Sequence, residues 1–323
     1  MFAEIVLVVL GLILLLVAGD LLVRGAVGLA AALNVPTLII SLTIVAFGTS
    51  APELVVTVQA VLSDNDGIAL GNIIGSNIAN VLLVLGLPAV IYPISTHVPG
   101  LRRHLVVMLL ATAAFVGAAF AAGFIDTRIG AALFSGILLY IAYMWARARK
   151  GAGNDPVLDE VEEFQDANRI SPKVIAFVIA GLVGLPVGAH LLVTNGAALA
   201  AGFGVREEVI GLTIVAFGTS LPELATVAAA ALHRKSDVAI GGIIGSNIFN
   251  ILAVGGAAGL AGTAAFDPAS LQTEIPVMIA AALALSFFVA TKRDIGRAAG
   301  AAMFLAYAGF IILLAVQSGG GAS

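Results

Sequence analysis

The chain contains one block of sequence twice, and this duplication restricts what it can fold into. Residues 42–86 read LTIVAFGTSAPELVVTVQAVLSDNDGIALGNIIGSNIANVLLVLG, and residues 212–256 read LTIVAFGTSLPELATVAAAALHRKSDVAIGGIIGSNIFNILAVGG. The offset is 170 residues without a gap, and 26 of the 45 aligned positions are identical. Chance similarity between apolar segments would match Leu, Val and Ala, but not Gly-Thr-Ser-x-Pro-Glu followed by Gly-Ser-Asn-Ile-x-Asn. The two halves are therefore predicted to share one fold.

The repeated blocks lie in a chain that is too apolar for a water-soluble surface. Hydrophobic residues make up 60% of it and charged residues only 11%, whereas about a quarter of a soluble domain is charged. Because a bilayer span needs about 20 apolar residues, the sequence predicts a polytopic membrane protein with ten spans. The predicted spans are 3–32, 37–62, 68–92, 104–123, 128–146, 172–202, 208–232, 238–262, 273–290 and 297–316.

The spans fall into two groups of five around one polar linker. The first repeat covers residues 1–146, the acidic linker 147–171 and the second repeat 172–323. Because each repeat has an odd number of spans, the second enters the membrane from the opposite side. The predicted fold class is all-α, with ten transmembrane helices arranged as two inverted five-helix repeats. Such repeats are typical of transporters that bind their substrate near the midplane, where the repeats meet.

Loop charges predict the orientation and limit the partners. With the N-terminus outside, the inward loops carry twelve Lys and Arg residues and the outward loops only Arg128 and Arg206. The positive-inside rule then places both termini outside and the linker in the cytoplasm of a multi-pass cell (inner) membrane protein. The absence of cysteine excludes a disulfide scaffold. With 15 basic against 19 acidic residues, a nucleic-acid partner is not expected.

Glu53 and Glu223 are repeat-equivalent acids within apolar spans. Each ionised carboxylate costs about 2.5–3.5 kcal/mol there on insertion scales, so something must compensate. Neither has a Lys or Arg within a helical turn, which favours a bound cation. The alternative is a protonated Glu that bonds a neighbouring helix. Asp20 and Arg24 on the first span are i,i+4 and are expected to pair with each other.

The residues before each Glu offer further oxygen atoms. Pro52 and Pro222 lack an N–H, so the carbonyls of Gly48 and Gly218 lose their helical donors. Carbonyls near these breaks are then free to face the space between the halves, unless the prolines are ordinary kinks. The adjacent hydroxyls belong to Thr49, Ser50, Thr219 and Ser220.

The next span in each half adds hydroxyl and amide groups. Ser76 and Asn80 share one helix face, as do Ser246 and Asn250, because each pair is i,i+4. Two glycine ridges are expected to admit a close neighbouring helix. Asn77 and Asn247 point away from these pairs and are interpreted as contacts between helices. The ridges are Gly71 with Gly75 and Gly241 with Gly245.

This all-oxygen set fits a hard cation such as Ca²⁺, which takes 6–8 oxygen ligands. Two carboxylates would neutralise one Ca²⁺, so the loaded site could be enclosed in the membrane, whereas an empty site near −2 could not. We infer that the halves switch readily only when cations fill the site. That rule gives obligatory exchange. No resident cofactor is expected.

At GTSAPE with GSNIAN, and at GTSLPE with GSNIFN, the chain resembles the cation/calcium antiporter superfamily, specifically prokaryotic sodium/calcium exchangers. The resemblance covers essentially all ten spans. It implies antiport of about three Na⁺ for one Ca²⁺ by alternating access, with both ions sharing one cluster. It assigns Ca²⁺ to Glu53 and Glu223 with the carbonyls of Thr49 and Thr219. The implied Na⁺ ligands are Ala46, Thr49, Ser50, Glu53, Ser76, Asn80, Ala216, Thr219, Ser220, Glu223, Ser246 and Asn250.

One departure from the family pattern affects the charge of the site. Some relatives, including potassium-dependent ones, have Asp where this chain has Asn250, so the resemblance does not imply K⁺ co-transport. Two acids against three Na⁺ leave the sodium-loaded site near +1. The resemblance therefore implies electrogenic exchange.

Two other functions remain open from sequence. A proton/calcium exchanger could use the same fold and the same glutamates, although the hydroxyl and amide oxygens favour Na⁺. A cation channel could be lined by duplicated acids, although inverted halves suit alternating access better. An enzyme is not expected, because the chain has no HExxH motif and no nucleophile paired with a base. The expected partners are the lipid bilayer and the two transported ions.

Overall fold

A computed structural model describes residues 2–150, 171–203, 218–266 and 272–319, and they are almost entirely helical. One pair of two-residue strands, β1 (Phe124–Ile125) and β2 (Ala264–Ala265), is antiparallel. The helices are α1 (Phe2–Leu33), α2 (Thr37–Thr49), α3 (Ala51–Leu62), α4 (Asp66–Ile91), α5 (Leu101–Ala121), α6 (Thr127–Lys150), α7 (Pro172–Gly202), α8 (Leu221–Leu232), α9 (Ser236–Ala261), α10 (Glu274–Thr291) and α11 (Arg297–Gly319).

Within these ranges, eight helices are long and apolar enough to cross a membrane. The bent pair α2 and α3 counts as a ninth. Nine of the ten predicted spans agree with these helices to within four residues. The remaining span, 208–232, lies partly outside the described residues, which include only α8 at its end. The helical membrane fold is thus confirmed, and the count of ten stays a prediction.

Two helices form the centre of the molecule. The most apolar 18-residue stretch of α9 is entirely buried, and 83% of the corresponding stretch of α4 is buried. In each of the other six single-helix spans, only 22–39% of the corresponding stretch is buried. Side chains such as Leu110 and Leu139 are 65% and 71% exposed. Exposed apolar side chains are stable where lipid is the solvent. The helices that carry the Gly-Ser-Asn motifs are therefore shielded from lipid by the rest.

Backbone contacts show that the halves are related by an approximate two-fold axis. Ile125 pairs with Ala264 between β1 and β2, and Ile94 forms an isolated antiparallel bridge with Ile295. The repeat offset converts the first pair into the second, because 125 plus 170 is 295 and 264 minus 170 is 94. Exchange of the halves thus maps these two contacts onto each other, as inverted repeats require. The short strands themselves were not predicted from the sequence.

The two longest helices, α1 and α7, pack against each other through glycines. A Cβ on Gly11 would lie 2.8 Å from the Leu192 nitrogen, and a Cβ on Gly181 would lie 2.5 Å from the Leu22 Cβ. These contacts are again equivalent under the repeat offset. Small residues let helix backbones approach closely in a membrane. The pair therefore forms a layer beside the broken helices.

Candidate ion-binding site

The first Gly-Thr-Ser-x-Pro-Glu motif breaks a helix at its serine, and in the second motif a helix begins directly after the equivalent serine. Ser50 has φ −87° and ψ 5°, Ser220 has φ −87° and ψ 3°, and α2 and α3 bend by 44° at the first break. Proline stands at the start of the following helix in each half, where its missing N–H is tolerated. The predicted interruption is therefore present in the first half, and in the second half the segment before it lies outside the described residues. It places Glu53 and Glu223 in the first turn of α3 and α8.

The serine side chains do not cap these helices, although Ser-x-x-Glu is the pattern of a capping box. No side-chain cap is formed at Ser50 or Ser220. Instead, the Ser50 hydroxyl donates across the molecule to Glu223 Oε1 at 3.2 Å. The Thr49 hydroxyl likewise lies 3.4 Å from the Ser246 hydroxyl. Motif residues that are about 170–200 positions apart in sequence thus converge on one place.

Carboxylate oxygens in this cluster lack partners although they are buried. Glu53 is 1% exposed and Glu223 2% exposed. Buried polar atoms without a hydrogen bond are costly, and charged ones more so. Such an arrangement is a strong indication that a ligand belongs there. The cluster atoms without a partner among the described residues are both carboxylate oxygens of Glu53, Glu223 Oε2, Ser220 Oγ, Asn80 Oδ1, and Oδ1 and Nδ2 of Asn250.

The asparagines of α4 and α9 meet across the two-fold axis. Asn80 Nδ2 donates to Asn247 Oδ1 at 3.0 Å, which confirms the prediction that Asn247 joins helices. Asn77 instead donates to the Ile73 carbonyl of its own helix at 2.7 Å. Asn250 is fully buried. A wide π-helical turn begins at Asn80 and another at Asn250, and such turns often occur at functional sites.

The second glycine ridge explains how α2 reaches α9. A Cβ on Gly245 would lie 2.7 Å from the Ala46 Cβ and 2.9 Å from the Leu42 Cα. Only glycine permits this approach, which holds Thr49 beside Ser246. In the equivalent ridge, a Cβ added to Gly71 or to Gly75 would have no described atom within 4 Å.

The predicted ligand residues do not all have the same surroundings. The carbonyl of Ala46 already accepts the Ser50 N–H at 3.0 Å and the Thr49 hydroxyl at 3.3 Å. Ala216 lies outside the described residues. Thr219 is half-buried beside a cavity of about 240 Å³ that also touches Pro52 and Pro222. The buried members are Ala46, Thr49, Ser50, Glu53, Ser76, Asn80, Ser220, Glu223, Ser246 and Asn250.

Asn72 is a supporting residue that was not predicted from the sequence. Its amide donates to the Glu53 carbonyl at 3.2 Å and to the Thr57 hydroxyl at 2.8 Å, and so ties α4 to α3. The available signal was its spacing, because Asn72 lies four residues before Ser76 on the same helix face. Its repeat equivalent is Gly242, so alignment of the two halves does not reveal it.

The ion pair on the first helix has an additional member. Arg24 Nε lies 2.9 Å from Asp20 Oδ2, as predicted, and Asp20 also contacts His233 at the end of α8. This group links α1 to α8. It does not recur in the other half, because the equivalents of Asp20 and Arg24 are His190 and Thr194.

Comparison with known proteins gives full-length similarity to one group. The family described as "Sodium/calcium exchanger protein" matches residues 3–147 and 173–316. The chain is 37% identical over 318 residues to the putative antiporter CaxA of Alkalimonas amylolytica, which covers 97% of this chain and 99% of that protein. It is 32% identical over 337 residues to the sodium/calcium exchanger MaX1 of Methanosarcina acetivorans, which covers 94% and 96% respectively.

A solved structure matches over the same length. It is the sodium-calcium exchanger NCX_Mj soaked with 2.5 mM Na⁺ and 0.1 mM Ca²⁺. The match has a TM-score of 0.79 at 31% identity, and covers 98% of each chain. The similarity therefore extends to the arrangement of the helices as well as to the repeated motifs.

Proposed function

The chain belongs to the sodium/calcium exchanger family, and we propose that it is a secondary active antiporter that exchanges Na⁺ for Ca²⁺ by alternating access. Its relatives are exchangers and not enzymes, in keeping with transport without a chemical step. The observation that carries the proposal is the set of buried oxygens, contributed by both halves, that have no partner among the described residues. A bound cation would supply the partner that these oxygens lack.

For Ca²⁺, the proposed ligands are Glu53 and Glu223, helped by the carbonyls of Thr49 and Thr219. Two carboxylates balance the double charge of the ion, and the neighbouring oxygens can complete the 6–8 ligands that it prefers. The hydrogen bond from Ser50 fixes Glu223 Oε1 and leaves Oε2 without a partner. Both oxygens of Glu53 are without a partner among the described residues.

For Na⁺, the proposal uses the same cluster with more of its neutral oxygens. Each Na⁺ carries half the charge of Ca²⁺, so several can share two carboxylates only if hydroxyl, amide and carbonyl groups complete their shells. About three Na⁺ would occupy the cluster. Bound Na⁺ would exclude Ca²⁺, because the two glutamates are ligands of both ions. The residues proposed are Ala46, Thr49, Ser50, Glu53, Ser76, Asn80, Ala216, Thr219, Ser220, Glu223, Ser246 and Asn250.

The charge of the site couples the two ion movements. An empty site with two carboxylates would have to cross a conformation sealed from water, where an unpaired charge is costly. A loaded site is neutral or near +1 and meets a smaller penalty. Switching therefore requires bound cations, so one ion is exchanged for the other without a leak.

Calcium uptake by sodium-loaded proteoliposomes tests this proposal. We expect wild-type protein to accumulate ⁴⁵Ca²⁺ when Na⁺ is trapped inside, and Glu53→Gln and Glu223→Gln each to abolish uptake by removing one of two charges. A matched control is Asp64→Asn in an exposed loop, where φ is 54° and Asn is well tolerated. It should transport like wild type.

The same vesicles separate the rival functions. Robust sodium-driven uptake by either glutamine variant would refute the site. Uptake driven by a pH gradient alone, with no Na⁺, would favour a proton/calcium exchanger. Single-channel currents would favour a channel.

We also propose a membrane orientation. Both termini would lie outside the cell membrane, the inner membrane where there are two, with the linker in the cytoplasm. The excess of Lys and Arg in the inward loops supports this arrangement.

A further inference from the structure

A second charged feature lies far from the glutamates, at the edge of the membrane domain. A cleft of about 420 Å³ opens between the segment before α5 and the end of α10. Its lining includes the cationic residues Arg102, Arg103 and Lys292, together with His97 and Gly100. All three cations are exposed and lie on the side proposed to be cytoplasmic. The transport proposal makes no use of them.

The electrostatics of this cleft favour an anion. The first turn of α5 carries Arg102 and Arg103 but no acid, and no side chain caps the helix. A helix N-terminus is itself positive, so cations there add to a field of the same sign. Gly100, with φ 84°, directly precedes the helix, and the N–H groups of Leu101 and Arg103 donate to the carbonyls of Val98 and Gly100. The positive charges thus converge on a shared open volume.

The carboxylate beside the cleft is already engaged. Asp294 Oδ1 accepts hydrogen bonds from the Ser95 hydroxyl at 2.9 Å and lies 3.1 Å from His97 Nδ1. Partial burial raises the pKa of Asp294, but its hydrogen bonds with Ser95, His97 and Thr96 lower it overall. Asp294 therefore serves the loop that it fastens, and among the described residues its ion pair is with His97 and not with the three cations.

The surface next to the cleft is apolar and faces lipid. Arg102, Val106 and Leu110 are successive i,i+4 positions on one face of α5. Val106 is 54% exposed and Leu110 is 65% exposed. One strip of α5 therefore passes from a cationic end directly onto a surface suited to acyl chains. A soluble anion would use the charges but not this strip.

We propose that this cleft binds the phosphate headgroup of an anionic membrane phospholipid. Arg103 and Lys292 contact the phosphate at the positive end of the α5 helix dipole. Arg102 also donates to the Ala290 carbonyl of α10, and so holds the two sides of the cleft together. An acyl chain lies along Val106 and Leu110. Basic pockets between membrane helices on the cytoplasmic side are known to bind such headgroups.

Lipid titration of the purified full-length chain in neutral detergent tests this site. Native mass spectrometry would compare dioleoylphosphatidylglycerol with dioleoylphosphatidylcholine. Each basic residue near a membrane surface contributes about fivefold to the binding of anionic lipid. The double variant Arg103→Gln/Lys292→Gln should therefore bind phosphatidylglycerol about 25-fold more weakly, with little change for phosphatidylcholine.

The matched control is Lys173→Gln/Arg297→Gln. It removes the same charge from the same proposed side at residues that do not line the cleft. It should keep the wild-type preference. Equal loss in this control, or an unchanged preference in the Arg103/Lys292 variant, would overturn the proposal.

Millimolar inorganic phosphate distinguishes a lipid from a soluble ligand. We expect it neither to displace phosphatidylglycerol nor to raise the melting temperature of the protein. Stabilisation by phosphate alone, present in wild type and lost in the Arg103/Lys292 variant, would assign the cleft to a soluble phosphate and refute the lipid. None of these measurements requires transport, so failure here and failure of the exchange proposal are separate results.

Discussion

Residues that are equivalent in sequence are not equivalent in the structure. Ser50 donates to Glu223, whereas the hydroxyl of Ser220, its counterpart, has no partner among the described residues. For Glu53, the counterpart of Glu223, neither carboxylate oxygen has a hydrogen-bond partner within the described ranges. An inverted-repeat transporter that opens to one side at a time must break its symmetry in any one conformation. The hydrogen bonds at the two glutamates show where that symmetry is broken.

The asparagine contact across the axis gives a prediction at this scale. Replacing Asn247 by Leu removes the acceptor of the buried Asn80 amide. A buried polar group without its partner costs about 1–3 kcal/mol. We expect Asn247→Leu to lower the free energy of unfolding by that amount, measured as a lower denaturation midpoint in detergent.

The control for this change is Asn195→Leu. Within the described part of the chain, the Asn195 amide donates to the Leu191 carbonyl of its own helix, at 2.7 Å, so this hydrogen bond does not join the halves. Asn195→Leu should therefore lower the free energy of unfolding less than Asn247→Leu does. An Asn247→Leu midpoint equal to that of wild type would show that the contact does not hold the halves together.

At the scale of elements, the cluster depends on two kinds of helix. The buried helices α4 and α9 are continuous and supply the Ser and Asn side chains. The interrupted α2–α3 pair, and α8 in the second half, present their broken ends to them. The continuous helices give a rigid support. The interrupted helices expose backbone polar groups that an intact helix would pair in its own hydrogen bonds. Neither kind of helix would form the cluster alone.

The close approach of α2 to α9 gives the prediction for elements. In Gly245→Ala the added methyl would lie 2.9 Å from the Leu42 Cα and 3.0 Å from its carbonyl oxygen, and this backbone cannot move aside easily. Overpacking costs about 1–3 kcal/mol, and α2 must shift away from Ser246. We expect sodium-driven calcium uptake to fall about tenfold or more.

Gly242→Ala is the matched control for this substitution. It adds the same methyl to the same helix at a position with no described atom within 4 Å. It should retain uptake and elute normally in size exclusion. Normal uptake by Gly245→Ala would mean that the contact between α2 and α9 is not required at the site.

At the scale of the whole molecule, exchange should respond to membrane potential. If three Na⁺ leave as one Ca²⁺ enters, one net positive charge leaves the vesicle, and each charge is worth about 2.3 kcal/mol per 100 mV. We expect uptake into sodium-loaded vesicles to accelerate when valinomycin and K⁺ make the interior positive, and to slow when it is negative. Uptake that ignores the imposed potential would contradict a ratio of three to one.

Orientation is also a property of the whole molecule. The chain has no cysteine, so single cysteines report position without background. We expect Ser63→Cys to react with an impermeant maleimide in intact cells, and Ser171→Cys to react only after lysis. The reverse pattern would invert the proposed topology.

Several features were accessible from sequence because their physical causes are local. Apolar length predicted the helices, Pro52 predicted the break between α2 and α3, and the i,i+4 spacing grouped Ser76 with Asn80. Asn72 was missed because its partners lie on another helix and its repeat equivalent is glycine. The strand pairing of Ile125 with Ala264 was missed because two residues carry no periodicity.

The sequence alone determined the membrane environment, the duplication and the identity of the buried acids, since these follow from composition, identity and spacing along the chain. Tertiary structure alone decided that Ser50 serves the glutamate of the opposite half, that Thr49 meets Ser246, and that Arg103 and Lys292 face one cleft. Those contacts join residues about 170–200 positions apart. Only the packing of helices in three dimensions brings such residues together. Glycines at the α2–α9 contact allow that packing to be close.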